Sequence, residues 1–373
     1  MRGFFFYPPT MDGTARFFVG CGRAFMEKAR ESEGVMNEIL VFSNTAAHAQ
    51  ARQVIAASAA AGMNGSLTPG KAEVGFHNDG EPWVEILSQV RGRDCVVIAT
   101  IAPFAQGSVR HSVNDMAMQM LILLDALRNA SARIVTVVFP YLGYLRQDRR
   151  SGKVTHRTAV SARVIAEAVE AVNHRTPHAC AVEIHALQVE AFFRTMSFEN
   201  IPALRTIADQ LPAEAHRNAV VVSPDRGGVD RAAALKEHLG LQDLAIVYKS
   251  RIEPGKAKAE RIAGDVRGRD VIVVDDMIDT AGTLVSAASF LRAEGAARIT
   301  VAACHGLFSG PALERIAASD IDRIYVLDTV PPAPGVAEHP KITVLPVAPL
   351  LARAIRSIRQ GESLRSLGKS EPR

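Results

Sequence analysis

Long apolar runs, paired cysteines and a strong charge of either sign are what this sequence lacks. No stretch approaches the roughly 18 apolar residues that cross a bilayer, and Phe4-Phe5-Phe6-Tyr7 is too short for a signal-peptide core and is interrupted at once by proline. No membrane partner is expected, and the expected location is cytoplasmic. The four cysteines, Cys21, Cys95, Cys180 and Cys304, stand far apart and share no metal or redox spacing, which suits free thiols in a reducing compartment. The net charge of +4 over 373 residues is small. It argues against a dedicated nucleic-acid binder while allowing a basic pocket for phosphorylated metabolites. What is present is ample core material, 48% hydrophobic against 22% charged, in a chain long enough for two domains.

Residues 1–35 show no clear period and receive no function; they read as an N-terminal extension. From Met36 onward, short β-branched runs alternate with amphipathic stretches, which predicts α/β architecture with mostly parallel sheets flanked by helices. Strands are expected at Ile39–Phe42, Trp83–Ile86, Cys95–Ile101 and Ile134–Phe139, with Asn114 capping a long apolar helix. Val90-Arg91-Gly92-Arg93-Asp94 recurs as Val266-Arg267-Gly268-Arg269-Asp270, each copy before an apolar strand. Downstream, Ala132-Arg133-Ile134 echoes Ala297-Arg298-Ile299. Two tandem copies of one α/β domain are therefore expected, over 36–180 and 181–330, with a closing strand, helix and loose polar tail over 331–373.

The second copy holds the most informative stretch, Val271-Ile-Val-Val-Asp-Asp-Met-Ile-Asp-Thr-Ala-Gly-Thr283. A buried strand reaches two adjacent carboxylates, Asp275 and Asp276; Asp279, Thr280, Ala281, Gly282 and Thr283 then open a helix. Free N–H groups and the positive end of a helix favour a phosphate. The carboxylates cannot favour that anion, and their natural partners are vicinal sugar hydroxyls or a divalent cation. Phosphate and diol side by side describe a ribose 5-phosphate moiety. The stretch resembles the phosphoribosyl diphosphate (PRPP) motif of the phosphoribosyltransferase fold. At the matching place the first copy reads Ala99-Thr100-Ile101-Ala102-Pro103, without the site.

Other segments narrow the reading. Pro140 to Arg150 leaves a strand end with aromatics and cations; Arg146 and Arg149 suit polyphosphate oxygens, and Gln147 suits an adenine edge. Ser223-Pro224-Asp225-Arg226-Gly227-Gly228 suits a pyrophosphate or magnesium-bound phosphate, and His185 falls at a strand end. Lys249 and Arg251 lie two apart on a strand, a pairing of like charges more readily tolerated around an anion. Taken with His305-Gly306-Leu307-Phe308-Ser309-Gly310-Pro311-Ala312, these segments resemble the ribose-phosphate pyrophosphokinase (PRPP synthetase) family from about Asn37 to Leu367.

That resemblance implies two tandem phosphoribosyltransferase-type domains and transfer of the diphosphoryl group of MgATP to the 1-hydroxyl of ribose 5-phosphate, giving PRPP and AMP. It implies that Lys249 and Arg251 stabilise the migrating group and that His185 and Asp225 are ligands of Mg2+. It places Asp275, Asp276 and the Asp279–Thr283 loop on ribose 5-phosphate. ATP falls to Arg146, Gln147 and Arg149, with His77, Asp79 and Glu81 reaching from a neighbouring copy of a homo-oligomer, a hexamer built from dimers. Four segments depart from the family pattern: His77 for a phenylalanine that stacks on adenine, Glu183 for an aspartate, Glu190-Ala191 for Gln-Gly, and a missing proline within Arg157–Val160. A regulatory paralogue with little activity and a PRPP-consuming phosphoribosyltransferase stand as the alternative readings.

Overall fold

The computed structural model describes residues 38–63, 66–107, 109–150, 157–172, 178–253 and 256–369. The extension expected over residues 1–35 lies outside them. Among the described residues, ten strands lie between Ile39 and Ile201: β1 (Ile39–Ser43), β2 (Leu67–Pro69), β3 (Ala72–Phe76), β4 (Pro82–Ile86), β5 (Asp94–Ile98), β6 (Phe104–Gln106), β7 (Val109–His111), β8 (Ile134–Phe139), β9 (His178–Val182) and β10 (Ser197–Ile201). Six of them form a parallel sheet in the order β10-β9-β8-β5-β1-β2. The pairs β3–β4 and β6–β7 are separate antiparallel hairpins.

The second sheet runs β13-β12-β11-β14-β15-β16-β17. Its members are β11 (Val220–Ser223), β12 (Leu244–Glu253), β13 (Lys256–Ala263), β14 (Asp270–Ile278), β15 (Arg298–Gly306), β16 (Arg323–Leu327) and β17 (Ile342–Leu345). All neighbours are parallel except β12 and β13. Burial on both faces explains why the central strands read as unbroken apolar runs.

The expected division at 180/181 falls inside β9 and is corrected. β9 and β10 pair with β8, so the first sheet continues to Ile201 and the second begins at Val220. Nor do the sheets keep separate interiors: one apolar cluster holds Ile39, Val96 and Ile98 together with Val221, Ile272 and Ala302. Helices α1 (His48–Ala57) and α2 (Val113–Asn129) flank the first sheet, and the last long helix, Ala348–Gln360, returns to pack on α1. Within the tail expected to be loose, Leu364–Gly368 forms a turn of helix with Leu364 fully buried.

The repeat seen in the sequence is repeated in hydrogen bonds. Arg133 grips Asp94 at 2.7 Å and Arg298 grips Asp270 at 2.5 Å, each clamping the start of a strand to its neighbour. Gly92 (φ +73°) and Gly268 (φ +70°) make the same left-handed turn before those strands, donating to Ser131 O and Gly295 O. After the strands the copies diverge. β14 runs on to Ile278, past both carboxylates, and the helix α6 (Gly282–Ala293) follows at once. The first copy instead inserts the β6–β7 hairpin before α2. The cap of α2 is Ser112, in a reciprocal capping box with Asp115, and not Asn114, which lies one residue inside the helix.

Candidate functional site

The C-terminal ends of both sheets meet at the two carboxylates of β14. Successive strand residues point to opposite faces, yet both carboxylates find cations. Asp276 is buried and accepts a 2.6 Å hydrogen bond from His185 Nδ1, three residues beyond β9. Asp275 is half-buried, and its Oδ1 accepts the Asp276 amide at 2.9 Å. Arg231, on helix α5 as numbered along the chain (Val229–His238, after α3 at Ser161–Val172 and α4 at Leu204–Gln210), lies 3.8 Å from Asp275 and 3.9 Å from Asp276.

Adjacent carboxylates cannot both keep an ordinary titration. Burial and the charge of Asp276 push Asp275 upward. Asp276 is held below the usual carboxylate range: burial opposes this, and the His185 bond and the Arg231 charge outweigh it. The His185 imidazole is raised in turn by its bond to Asp276.

The loop after β14 turns on Ala281, whose φ of +59° is left-handed and which directly precedes Gly282 at the start of α6. The amides of this first turn have no acceptor within the helix. The Thr280 and Thr283 side chains are exposed, and Arg315 braces the loop by donating to Thr280 O at 3.0 Å. Arg146 donates to Asp279 Oδ2 at 2.6 Å. Burial works to raise the Asp279 carboxyl, but the Arg146 and Ser309 bonds prevail and hold it low.

Behind these groups the two sheets are stitched by Glu183. Its backbone is left-handed, φ +40°, a conformation costing a non-glycine residue on the order of 1–3 kcal/mol. Its Oε2 accepts from Ala203 N at 2.9 Å, its carbonyl faces His305 Nε2 at 3.1 Å, and its Oε1 lies 3.8 Å from Arg231. Hydrogen bonds to charged groups contribute about 1.5–3 kcal/mol each, enough to hold the turn. His305 is buried, with Nδ1 2.8 Å from Thr329 Oγ1 and the Tyr141 ring edge-on at 4.9 Å. In the first copy, Asn44 closes the matching place, accepting from Thr100 N at 3.2 Å and donating to Thr100 O at 2.9 Å.

The sequence-predicted residues thus divide. Asp275, Asp276, Asp279, His185 and Arg146 come together. Asp225 caps its own turn, accepting from Gly227 and Gly228 N–H at 2.9 and 3.2 Å. Gln147 and Arg149 are exposed. Lys249 and Arg251 lie on β12 opposite Ala259 and Ala257, and their side chains lie outside the described residues. His77, Asp79 and Glu81 form the exposed tip of the β3–β4 hairpin, and no hydrogen bond or ion pair of the described residues joins that tip to the β14 loop. Phe76, beside the tip, is stacked on His111 at 4.1 Å, so one face of its ring is taken. Glu190 accepts from Asn200 N at 2.8 Å, a use for the carboxylate at that departing position.

Sequence reasoning missed Arg231, Arg315 and the linking role of Glu183. A cavity of about 1080 Å³ also opens beside His185, between Gln188, Asp230, Arg231 and Arg365. The β14 loop does not line it.

Two mostly parallel sheets, with a strand-end dicarboxylate and a helix-opening loop on the second, define a doubled phosphoribosyltransferase-type fold. Comparison with known proteins narrows the class. A family model for the N-terminal domain of ribose phosphate pyrophosphokinase matches residues 39–172, and one for a phosphoribosyl synthetase-associated domain matches residues 251–369. A ribose-phosphate pyrophosphokinase of Chromobacterium violaceum is 38% identical over 336 residues, 90% of this chain and 96% of that protein. One from Shewanella oneidensis is 41% identical over 299 residues, 80% and 90% of the two chains. The crystal structure of phosphoribosylpyrophosphate synthetase from Mycobacterium smegmatis superposes with a TM-score of 0.74 at 30% identity, covering 87% of this chain and 99% of that one. The chain belongs to the ribose-phosphate pyrophosphokinase family and is an enzyme of that family, a diphosphokinase.

Proposed function

We propose that the chain transfers the diphosphoryl group of MgATP to the 1-hydroxyl of ribose 5-phosphate, with the sugar over Asp275 and Asp276 and the 5-phosphate in the Asp279–Thr283 loop. One observation carries this reading. His185 and Arg146, which leave strands of the first sheet, meet Asp276 and Asp279 of the second at 2.6 Å each. A nucleotide held by the former two therefore abuts a sugar held by the latter two. Phosphoryl transfer leaves little covalent work to a protein, so positioning and charge neutralisation dominate.

The donor set suits magnesium. Asp225 Oδ1 is engaged by two amides and His185 Nδ1 by Asp276, leaving Asp225 Oδ2 and His185 Nε2. No three His, Cys, Asp or Glu side chains converge into a metal cage among the described residues. That fits an ion that keeps its waters and phosphate oxygens and takes one or two protein ligands. Bound there, magnesium supplies charge neutralisation along the polyphosphate. Arg146, Gln147 and Arg149 take the nucleotide, Lys249 and Arg251 the migrating group. His77, Asp79 and Glu81 serve the nucleotide of a neighbouring copy in a homo-oligomer, a hexamer built from dimers. No helix among the described residues is long and apolar enough to cross a membrane, and a cytoplasmic location follows as part of this reading.

The test is AMP release from ATP on adding ribose 5-phosphate. A synthetase shows it, a phosphoribosyltransferase instead consumes PRPP with a base, and a regulatory paralogue does neither. Within this assay Asp279→Asn is expected to raise KM for ribose 5-phosphate about tenfold, the scale of one charged hydrogen bond. An effect confined to ATP would contradict the assignment of that loop.

A further inference from the structure

Arg231 enters the site from α5 and reaches carboxylates of both sheets. Its guanidinium lies 3.8 Å from Glu183, 3.8 Å from Asp275 and 3.9 Å from Asp276, with the side chain 14% exposed. Each distance exceeds a hydrogen bond, and Nε is buried with no hydrogen-bond partner. A cation so placed is held centrally among three carboxyl groups. Removing it would leave Asp275 and Asp276, neighbours on one strand, to repel each other in a poorly solvated place. Glu183 is itself fixed, by the Ala203 amide and by a left-handed backbone whose carbonyl faces His305. Arg231 therefore links a rigid loop of the first sheet to the pair of carboxylates on the second.

We propose that Arg231 is a positioning residue for the pentose: backed by Glu183, it sets the spacing and outward orientation of Asp275 and Asp276 so that both accept from vicinal hydroxyls. It does this from the buried side, and its function is to keep the outer oxygens free for neutral O–H donors. The inference rests on the reading that the sugar lies over Asp275–Thr283.

The experiment is a steady-state series on the full chain with ribose 5-phosphate and MgATP varied separately. Arg231→Met keeps length and removes charge; KM for ribose 5-phosphate is expected to rise about 10- to 100-fold, the range over which groups behind a binding shell act, while KM for MgATP stays near its original value. Arg231→Lys restores part of the loss. Glu183→Gln, which keeps an acceptor for the Ala203 amide, shifts KM for ribose 5-phosphate in the same direction by less. Equal rises in both KM values, or a lysine variant no better than methionine, would overturn the proposal. Should Arg231→Met fail to fold, Glu183→Gln decides alone, and an unchanged KM for ribose 5-phosphate overturns it. Failure of the underlying reading looks different: the unaltered chain would then release no AMP in response to ribose 5-phosphate.

Discussion

Replacing Lys249 by alanine is expected to lower turnover about 10²- to 10³-fold, the usual effect of removing one group that meets charge developing in the transition state, while KM for MgATP stays close to its original value. The backbone gives the reason for choosing this position. β11 ends at Ser223, level with Ile246 of β12, but β12 continues to Glu253. Residues 247–253 therefore project past the rim of the sheet, paired only with β13, at the end where β11 turns through Asp225 and β14 presents Asp275 and Asp276. On the proposed reading, a cation carried on that projection meets the diphosphoryl group only as it moves. Steady-state kinetics separates the two possibilities: a fall in kcat with KM held marks an interaction made in the transition state, whereas a rise in KM at constant kcat marks simple binding. Near-normal turnover in Lys249→Ala would remove Lys249 from the chemistry.

Acid is expected to destabilise the seam between the sheets through His305. Burial holds its imidazole down to about 4 in the folded chain, against an ordinary value near 6.5. The sign follows from proton counting. Above pH 6.5 neither state binds a proton there, so His305 leaves stability unchanged. Between 6.5 and 4 the unfolded chain takes the proton and the folded chain does not, so stability falls as pH falls. Below 4 both are protonated and the loss is complete, at roughly 3 kcal/mol. His305 faces Thr329 Oγ1, the Glu183 carbonyl and the Tyr141 ring, with the Asp276 and Arg231 charges beyond. Denaturant melts of the unaltered chain and of His305→Asn, taken from pH 7 to pH 4, isolate the effect, since other groups titrate in both. Parallel stability curves for the two would show that His305 does not govern the acid limb.

Much of the site could be read from the sequence because it is local. Asp275 to Thr283 lie within nine positions on one strand, one turn and one helix start, so composition and order alone give the paired carboxylates beside a helix-opening loop. The repeat was equally legible, because Val-Arg-Gly-Arg-Asp encodes a glycine turn and a clamp that act within their own copy. What stayed hidden acts across the chain. Arg231 is one of several charged residues on an amphipathic helix, and only tertiary packing brings it near Glu183 and Asp275. Glu183 carries no mark of its left-handed backbone, since side-chain identity ordinarily signals that conformation only for glycine or asparagine. The boundary at 180/181 failed because β10 joins the earlier sheet by a strand pairing that leaves no trace in hydrophobic period. Ser112 was passed over for Asn114 because both are good caps and lie two residues apart.

The amide of Asn44, clasping both backbone polar groups of Thr100, has a consequence for the molecule's asymmetry. Where the later copy keeps an open rim, the earlier one has its own counterpart sealed into the wall on which the other rests. Two near-twins have thereby become a rim and its support, and acidic residues placed at Ala99 and Thr100 would bury new charge in the joint.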